Sequence, residues 1–441
     1  MTTLPLDRRG RRILLVVNHE YTNENLMFRG FTSLDAMTVE QVRSAMAAHG
    51  LSVVELERVG DTGQWRPVTS GPRHYNRRIT PSTRMLFTGP AAGSPLLRTS
   101  EEPRGLVVRG TLNNCAGGLT PWGTVLSGEE NFNQYFVGAD GVPDEAKPAL
   151  ARYGSDTANR YPSGSRKWDR VEARFDLTRE PNEANRFGWV VEIDPYDPHS
   201  TPREHTALGR FKHEGAEIII APGGQAVAYM GDDERFDYIY KFVSSKKIRR
   251  GNGPAARAHN MTLLESGTLY VARFSFTSAD EIDGSGRLPS EDGGDNAAET
   301  FTWTIPIVCG DPADPSTYFA GFDKSKVSPI SCPDNLDFDA HGNLWISTDG
   351  NALGSNDGLF AVPVDGPQRG HVKQFLTVPV GAEEASAAIS DDNRTVFVSV
   401  QHPGEIDGAS VDNPASTWPH GDFARPAVIN VWRRDGREIG R

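Results

Sequence analysis

Cysteine is scarce in this chain of 441 residues. Its three cysteines, Cys115, Cys309 and Cys332, are too few for a disulfide framework, and none of them forms the Cys-x-x-Cys motif of a structural zinc site. Long apolar runs are also missing, because no window of the sequence reaches the roughly 18 consecutive apolar residues that a membrane-spanning helix requires. A protein embedded in a membrane is therefore not expected.

Positive charge is in short supply as well. The chain has 46 Lys and Arg against 58 Asp and Glu, which gives a net charge of -12 with His neutral. A negative field repels the phosphate backbone of nucleic acids, so nucleic acid is not expected as a partner. The same field is compatible with bound divalent cations, and it also serves solubility alone, so composition leaves both interpretations open.

What is abundant is the pattern of short strands. Apolar and polar residues alternate in short runs rich in β-branched and aromatic residues, and turn residues precede most of the runs. The predicted strands are Arg12–Asn18, Leu106–Gly110, Gly188–Ile193, Ile218–Ala221, Ala226–Met230, Tyr238–Val243, Thr268–Phe274, Asn343–Thr348, Gly358–Val364 and Thr395–Val400. Repetition of short strands without strict spacing predicts an all-β protein, a β-propeller with six blades as the expected number, peripheral helices and long loop insertions.

One helix is predicted from sequence signals at both of its ends. Thr38 and Gln41 form a capping box, and the helix is expected to run to about His49, where Gly50 ends it. Two polar segments, Pro143–Asn185 and Phe276–Glu299, are expected to be insertions. No boundary divides the sequence, so residues 1–441 are expected to form a single propeller domain.

The densest candidate site lies between Asn113 and Phe136, with the sequence NNCAGGLTPWGTVLSGEENFNQYF. Its glycines suggest tight turns that hold the backbone close to another group. Cys115 is expected at a turn, and Glu129 and Glu130 at the end of a short strand. Adjacent residues of a strand point to opposite faces, so both carboxylates can enter one site only if the strand bends. A structural cysteine with two solvated glutamates is the alternative interpretation.

Other polar phrases lie beside predicted strands. They are Lys212–Glu217 (with His213-Glu214-Gly215), Gly231–Glu234 (with Asp233), Cys332–Leu336 (followed later by Asp349), Gly381–Glu384 and Gln401–Glu405. Each of them is also compatible with an ordinary polar turn. Because loops on one face of a propeller converge on its axis, carboxylates from different blades are expected to meet there, where they would suit a hard cation. The sequence lacks a Gly-x-Ser-x-Gly elbow and a P-loop, which argues against the chemistry of those two motifs.

Taken together, these segments resemble the PhoX-type alkaline phosphatases. The resemblance is carried in order by NHEYTN from Asn18, by RGTLNNCAGGLTPWGT with EEN, and by GRFKHEGAE, GDDERFDYIYKFVS, PDNLDFD with LWISTDG, and VQHPGE. It implies a six-bladed propeller that hydrolyses small phosphate esters at a centre containing Fe³⁺ and Ca²⁺. By the same resemblance the chain is expected to be a monomer.

The resemblance also implies the residues of that centre. Cys115 matches the iron-bound cysteine, Glu129 and Glu130 match the paired carboxylates after it, and Glu214 matches the glutamate of the His-Glu-Gly phrase. Glu383 matches the glutamate of a Gly-x-Glu phrase, and Asp233 is a more distant match. Glu130 and Glu214 are assigned to catalysis as well as to metal binding. Thiolate and carboxylate ligands suit ferric iron, and oxygen ligands suit calcium.

Other assignments remain open. Arg210 and Arg235 lie near the matched phrases as candidates for binding phosphate, and Cys309 and Cys332 are expected to be structural. Family members generally carry an upstream stretch with an export signal, and periplasmic or secreted proteins are expected from the family. Here the first apolar run is only Ile13–Val17, too short for a signal peptide. A truncated chain, a misassigned start and a cytoplasmic relative are the three interpretations.

Two rival functions are kept. PDNLDFDAHGNLWIS is similar to gluconolactonase-like propellers that use one divalent cation, often calcium, for lactone hydrolysis, although this function leaves Cys115 without a role. A propeller scaffold without catalysis is the second rival, because fold alone never establishes an activity.

Overall fold

Strands dominate the architecture, as the alternating pattern predicts. The computed structural model describes residues 1–440 with the exception of 8, 154–163, 252, 275–294, 302 and 351. Its strands form six sheets in chain order. Sheet 1 contains β1 Thr2–Pro5, β2 Arg12–His19, β3 Gly50–Arg58, β4 Trp65–Pro67 and β5 Arg77–Ile79; sheet 2 contains β6 Arg84–Thr88, β7 Val107–Arg109, β8 Asn114–Leu119, β9 Val125–Glu129, β10 Val190–Ile193 and β11 Arg203–His205; sheet 3 contains β12 Glu217–Ile220, β13 Gln225–Gly231, β14 Ile239–Lys247 and β15 Gly267–Val271; sheet 4 contains β16 Ile307–Val308 and β17 Tyr318–Phe319; sheet 5 contains β18 Pro333–Phe338, β19 Leu344–Thr348, β20 Gly358–Val362 and β21 Lys373–Thr377; sheet 6 contains β22 Glu383–Ile389, β23 Thr395–Gln401 and β24 Ala427–Trp432.

Pairing within the sheets is antiparallel, apart from one parallel pair, β6 with β11, among the described strands. Sheet 1 has the order β1-β2-β3-β4, with β5 also paired to β3, and sheet 2 has the order β7-β6-β11-β10-β9-β8. Sheets 3, 5 and 6 are simple meanders in which each strand pairs with the next one along the chain. Meanders of this kind are the blades of a β-propeller.

The predicted β-propeller is confirmed, but the predicted number of six blades is wrong. Among the described residues, five sheets have three strands or more, and sheet 4 has only two strands. The reason lies in the segment that would supply the remaining blade, because each strand of sheet 4 is only two residues long. The connection between these strands, residues 309–317, contains DPADPS, whose prolines cannot donate to a ladder.

Helices are few and short. Their bounds are α1 Glu24–Met27, α2 Val39–Ala48, α3 Lys147–Ala151 and α4 Pro254–Asn260. Single 3-10 turns occur at Leu34–Ala36, Pro95–Leu97, Phe132–Tyr135, Ala139–Gly141, Trp168–Arg170, Ala173–Phe175, Glu183–Arg186, Thr206–Leu208, Leu263–Glu265, Lys324–Lys326 and Gly366–Gln368. The predicted capping box of α2 is present, with Thr38 and Gln41 each satisfying the other's backbone N–H. No helix of the described residues is long and apolar enough to cross a membrane.

The two predicted insertions differ in what can be said of them. The segment Pro143–Asn185 lies between β9 and β10, and its described residues form α3 and short turns rather than strands. It is packed into the molecule, because Trp168 and Phe175 have no exposed surface and belong to the main apolar core. Most of the segment Phe276–Glu299 lies outside the described residues.

The first and last sheets lie against each other. The backbone N–H of Trp65 in β4 donates to Asn430 Oδ1 in β24 at 3.0 Å, and the Trp65 indole donates to Thr395 Oγ1 at 3.2 Å. Trp65 also packs with Phe397 of β23 and Leu15 of β2 in one apolar cluster. Sheet 1 and sheet 6, which are far apart in the sequence, thus share an interface.

Candidate metal centre

The centre is built around Cys115 in the strand β8. Cys115 Sγ and one carboxylate oxygen from each of Glu20 and Glu130 lie within 4.8 Å of one another. Glu20 follows β2 of sheet 1, and Glu130 follows β9 of sheet 2. The three side chains therefore come from two blades, and they are at most half exposed.

A bulge and close-packed glycines shape the backbone around Cys115. The pairing of β8 with β9 shifts register between Asn114 and Gly117, which marks a β-bulge at Cys115, a device that bends a strand and redirects its side chains. A Cβ at Gly117 would lie 1.9 Å from the carbonyl oxygen of Leu126, so only glycine fits there. Cys115 thus lies in a bulged strand rather than at the predicted turn.

The same packing brings the His-Glu-Gly phrase to Cys115. A Cβ at Gly118 would lie 2.1 Å from the carbonyl oxygen of Ala216, and a Cβ at Gly128 would lie 2.3 Å from that of His213. His213 itself stacks on Phe211 with ring centroids 3.6 Å apart, and burial lowers its pKa to about 3. His213 is thus a neutral packing residue, and its neighbour Glu214 is the residue that reaches the centre.

Three further carboxylates complete what we call the Cys115 cluster. This cluster consists of Glu20, Cys115, Glu130, Glu214, Asp233 and Asp334. The carboxyl group of Glu130 is in hydrogen-bond contact with those of Glu20 and Asp233, and that of Glu214 is in contact with Asp334. Asp233 is held by its backbone N–H, which donates to the carbonyl oxygen of Lys212 at 3.1 Å. Acids from sheets 1, 2, 3 and 5 or their flanking loops therefore meet at one place.

A second part of the centre surrounds His402. Its Nε2 lies 3.3 Å from Glu383 Oε2, and its Nδ1 lies 3.3 Å from Glu405 Oε2. The preceding residue, Gln401, donates from its side chain to Glu20 Oε2 at 3.0 Å. Glu383 is thus connected to the Cys115 cluster through consecutive residues at the end of β23.

The groups of the Cys115 cluster are all acidic, so their negative charges repel one another. Burial raises the pKa of the Cys115 thiol well above its ordinary value, and the nearby charges of Glu20 and Glu130 raise it further. Burial and the contact with Asp334 raise the pKa of Glu214 to about 10. Burial and then the charge of Glu20 raise the pKa of Glu130 as well. Each shift has the same two causes: burial comes first, and repulsion by neighbouring acids adds to it. A bound cation would relieve both.

Glu129 lies outside this cluster, although it is next to Glu130. Its carboxylate accepts hydrogen bonds from the Thr111 hydroxyl at 2.7 Å and from the backbone N–H groups of Leu112, Gly188 and Trp189 at 3.2, 2.9 and 3.3 Å. Adjacent strand residues point to opposite faces, so the bend that would have brought both glutamates into one site is absent. The structure thus separates Glu129 from the other predicted ligands.

The two arginines predicted as candidates for binding phosphate have different surroundings. Arg210 is half-buried, donates to the carbonyl oxygens of Phe187 and Ala184 at 2.8 Å each, and lies over the ring of Phe132. Its donors are therefore used within the fold. Arg235 is exposed on the loop after β13.

The structure thus brings together Cys115, Glu130, Glu214 and Asp233, and it places Glu383 beside them with His402. Sequence reasoning did not assign Glu20, Asp334 or His402. Glu20 stands in the NHEYTN phrase, and Asp334 and His402 stand in polar phrases beside predicted strands, so their positions carried a signal. The sequence alone does not reveal which strand ends lie next to one another in the fold.

Known proteins provide an independent comparison. The family model described as Alkaline phosphatase PhoX matches residues 1–287 and 287–404. The solved structure "Pseudomonas fluorescens PhoX in complex with vanadate, a transition state analogue" is 33% identical to this chain with a TM-score of 0.82, and the match covers 100% of this chain and 89% of that chain. An endo-1,5-alpha-L-arabinanase from Thermotoga petrophila RKU-1 is 13% identical over 48% of this chain and 42% of its own, and its TM-score of 0.19 is too low to carry an argument. No curated protein matches.

Proposed function

This chain belongs to the alkaline phosphatase PhoX family and is a phosphatase, and from that premise we propose that it hydrolyses phosphate monoesters at a centre of Fe³⁺ and Ca²⁺ held by the Cys115 cluster and Glu383. The observation that carries this proposal is the approach of Cys115 Sγ and the carboxylate oxygens of Glu20 and Glu130 to within 4.8 Å of one another. In the proposed set, Glu20 and Asp334 are ligands and Glu129 is not.

The donor atoms fit such a group of metals. One thiolate among carboxylates suits ferric iron, and a site rich in carboxylate oxygens suits calcium. The raised pKa values of Cys115, Glu130 and Glu214 are those of acids that lack a counter-charge, and metal ions would supply it. Bound together, the metals would polarise the phosphoryl oxygens and activate an oxygen nucleophile.

A phosphate ester also needs these cations in order to bind. The substrate is an anion, the chain carries a net charge of -12, and the cluster itself is acidic. Without cations, Coulomb repulsion would keep a phosphoryl group out of the site. Vanadate is described as a transition-state analogue in the P. fluorescens structure, and such a ligand is consistent with phosphoryl transfer in a site of this kind.

The residues of the chain hold and orient the ligands. Asn131 donates from its side chain to Glu130 Oε1 at 2.7 Å, and Gln401 does the same for Glu20. The Asn18 side chain donates to the carbonyl oxygen of Cys115 and so ties β2 to the bulge. Hydrogen bonds to ligating carboxylates fix their orientation, so these amides are positioning residues. Asp233 is the exposed member of the cluster, and its other members are buried or half-buried.

The test is the hydrolysis of p-nitrophenyl phosphate by Cys115→Ala, with Cys309→Ala as the matched control. We expect Cys115→Ala to lower kcat/KM by at least about 100-fold, because loss of an oriented ligand affects both metal affinity and activity. Cys309 lies at the end of sheet 4, outside the cluster, so its variant should keep activity within about twofold. Unchanged hydrolysis by a folded Cys115→Ala protein would refute the assignment.

A further inference from the structure

A large apolar cavity lies between the first and the last blade. Its volume is about 570 Å³, and we call it the interblade cavity. Its walls come from β2, β3 and β4 of sheet 1 and from β23 and β24 of sheet 6. The apolar residues that define it are Val17, Val54, Trp65, Phe397, Val428 and Ile429.

The packing around this cavity is incomplete. Protein interiors are close-packed, and voids much larger than a water molecule are few. Trp65 and Phe397 line the cavity and are 4% and 2% exposed. Val17, Val54 and Val428 line the walls and are only half-buried, so part of their apolar surface faces no partner atom. The volume falls within the range of cavities that bind small ligands.

The cavity is continuous with the candidate metal centre. Glu20, Gln401 and His402 form part of its wall. Glu20 belongs to the Cys115 cluster, Gln401 donates to Glu20, and His402 is bound to Glu383. Met27 also lines the cavity and is 40% exposed, so the cavity is open to solvent at this residue. A ligand with its anionic group at the Cys115 cluster can therefore extend along apolar walls towards the surface.

Several polar groups on the walls already form hydrogen bonds within the protein. His19 Nε2 lies 2.7 Å from Ser52 Oγ, and Asn430 exchanges hydrogen bonds of 3.0 and 3.3 Å with the backbone of Trp65. They are poorly placed to recognise the hydroxyl groups of a sugar. A hydrocarbon group needs no hydrogen-bond partner, and its transfer from water into an apolar cavity is favourable.

We propose that the interblade cavity binds the apolar alcohol portion of the phosphate ester, so that the preferred substrates are phosphomonoesters of aromatic or medium-chain alkyl alcohols. This inference rests on the proposed function, because it places the phosphoryl group at the Cys115 cluster. Each buried methylene should favour the apolar ester about fourfold, so several buried methylenes would give a large preference over a small ester.

The kinetic test compares hexyl phosphate with methyl phosphate. For the metal-loaded wild-type protein, kcat/KM for hexyl phosphate should exceed that for methyl phosphate by at least about 50-fold. Val428→Trp fills the cavity and should reduce this preference about tenfold or more, chiefly through KM. Val54→Trp fills it from the opposite wall and serves as the second variant. Val364→Trp is the matched control, because Val364 is 44% exposed and does not line the cavity, and its preference should equal that of the wild type.

A binding measurement separates this inference from the proposed function. Hexylphosphonate is not hydrolysed, and calorimetry should show that it binds wild-type protein at least about tenfold more tightly than Val428→Trp or Val54→Trp. Equal kcat/KM for the two esters, or equal hexylphosphonate binding by wild-type and both filled variants, would overturn the inference while leaving the phosphatase in place. Hydrolysis of neither ester by metal-loaded protein would overturn the proposed function, and calorimetry would then still decide the cavity.

Discussion

Acidic side chains are buried in two regions of this molecule, and the two regions treat them differently. Within sheet 2, the Glu192 carboxylate meets donors, because the Trp122 indole donates to it at 2.8 Å and His205 Nε2 lies 2.8 Å away. In the Cys115 cluster, carboxyl groups meet other carboxyl groups, as Glu130 does with Glu20. Burial of an acid is stable where donors surround it, whereas acids that face one another need a cation or a proton.

Adjacent residues show the same contrast at the smallest scale. Glu129 accepts four hydrogen bonds from the protein, and Glu130 lies among acids. One residue of sequence separates a structural carboxylate from a candidate ligand. Neutralising each in turn should therefore affect different properties of the protein.

The largest effect is expected from Glu130→Gln. Loss of a ligating carboxylate should lower kcat/KM for p-nitrophenyl phosphate by at least about 100-fold, while the free energy of unfolding of metal-free protein stays constant or rises because a repelling charge is gone. Enzyme kinetics and urea unfolding measure the two quantities.

Glu129→Gln is the matched partner of that variant. An amide cannot accept all four hydrogen bonds, so the free energy of unfolding should fall by about 1–3 kcal/mol, with a much smaller loss of kcat/KM per folded molecule. If Glu129→Gln lost metal and activity as fully as Glu130→Gln, the separation of the two roles would be wrong.

A buried ion-pair network gives the next effect. Arg174 donates to Glu183 and to Glu172 at 2.7 Å each, and the Arg174 and Glu183 side chains are 5% and 3% exposed. Arg174→Ala leaves buried charge without its partner and should cost about 3–5 kcal/mol in urea unfolding. Arg179→Ala removes a pair whose arginine is 67% exposed and should cost less than about 1 kcal/mol. Equal costs for the two variants would contradict this account of the buried ion pairs between β9 and β10.

The smallest effect concerns acid sensitivity. Burial alone would raise the pKa of Glu192, but the hydrogen bond and charge of His205, with donors from Thr124 and Trp122, lower it below its ordinary value of 4.5. A lowered pKa in the folded state contributes stability that is present above pH 4.5 and is lost as the pH falls through the folded-state pKa. Glu192→Gln should therefore unfold with a weaker dependence on pH in this acidic range. The exposed control Glu101→Gln should keep the wild-type dependence, and an unchanged profile for Glu192→Gln would contradict the assigned shift.

Local sequence patterns predicted much of the secondary structure. Alternation predicted strands such as Arg12–Asn18, which the structure has as β2, and the capping box at Thr38 predicted where α2 begins. The number of blades could not be predicted in the same way. It depends on which short strands find partners, and the two-residue strands β16 and β17 form only a two-stranded sheet.

The centre was predictable only as far as neighbours in sequence reveal it. The phrase around Cys115 and the His-Glu-Gly phrase each indicated a ligand. The family resemblance also implied Glu129 as a ligand, but the alternation of side chains along β9 directs Glu129 away from the cluster. Glu20 was not assigned because its approach to Cys115 results from contact between β2 and β8, whose sequence positions are far apart.

The central claim is that the Cys115 cluster holds metal ions, and elemental analysis tests it most directly. Protein purified without chelator would be analysed for iron and calcium, alongside Glu130→Gln and Glu129→Gln prepared in the same way. The account predicts iron and calcium together in the wild-type protein and in Glu129→Gln, with a marked loss in Glu130→Gln. Wild-type protein that hydrolyses phosphate esters without either metal, or equal metal contents in wild-type and Glu130→Gln, would contradict it.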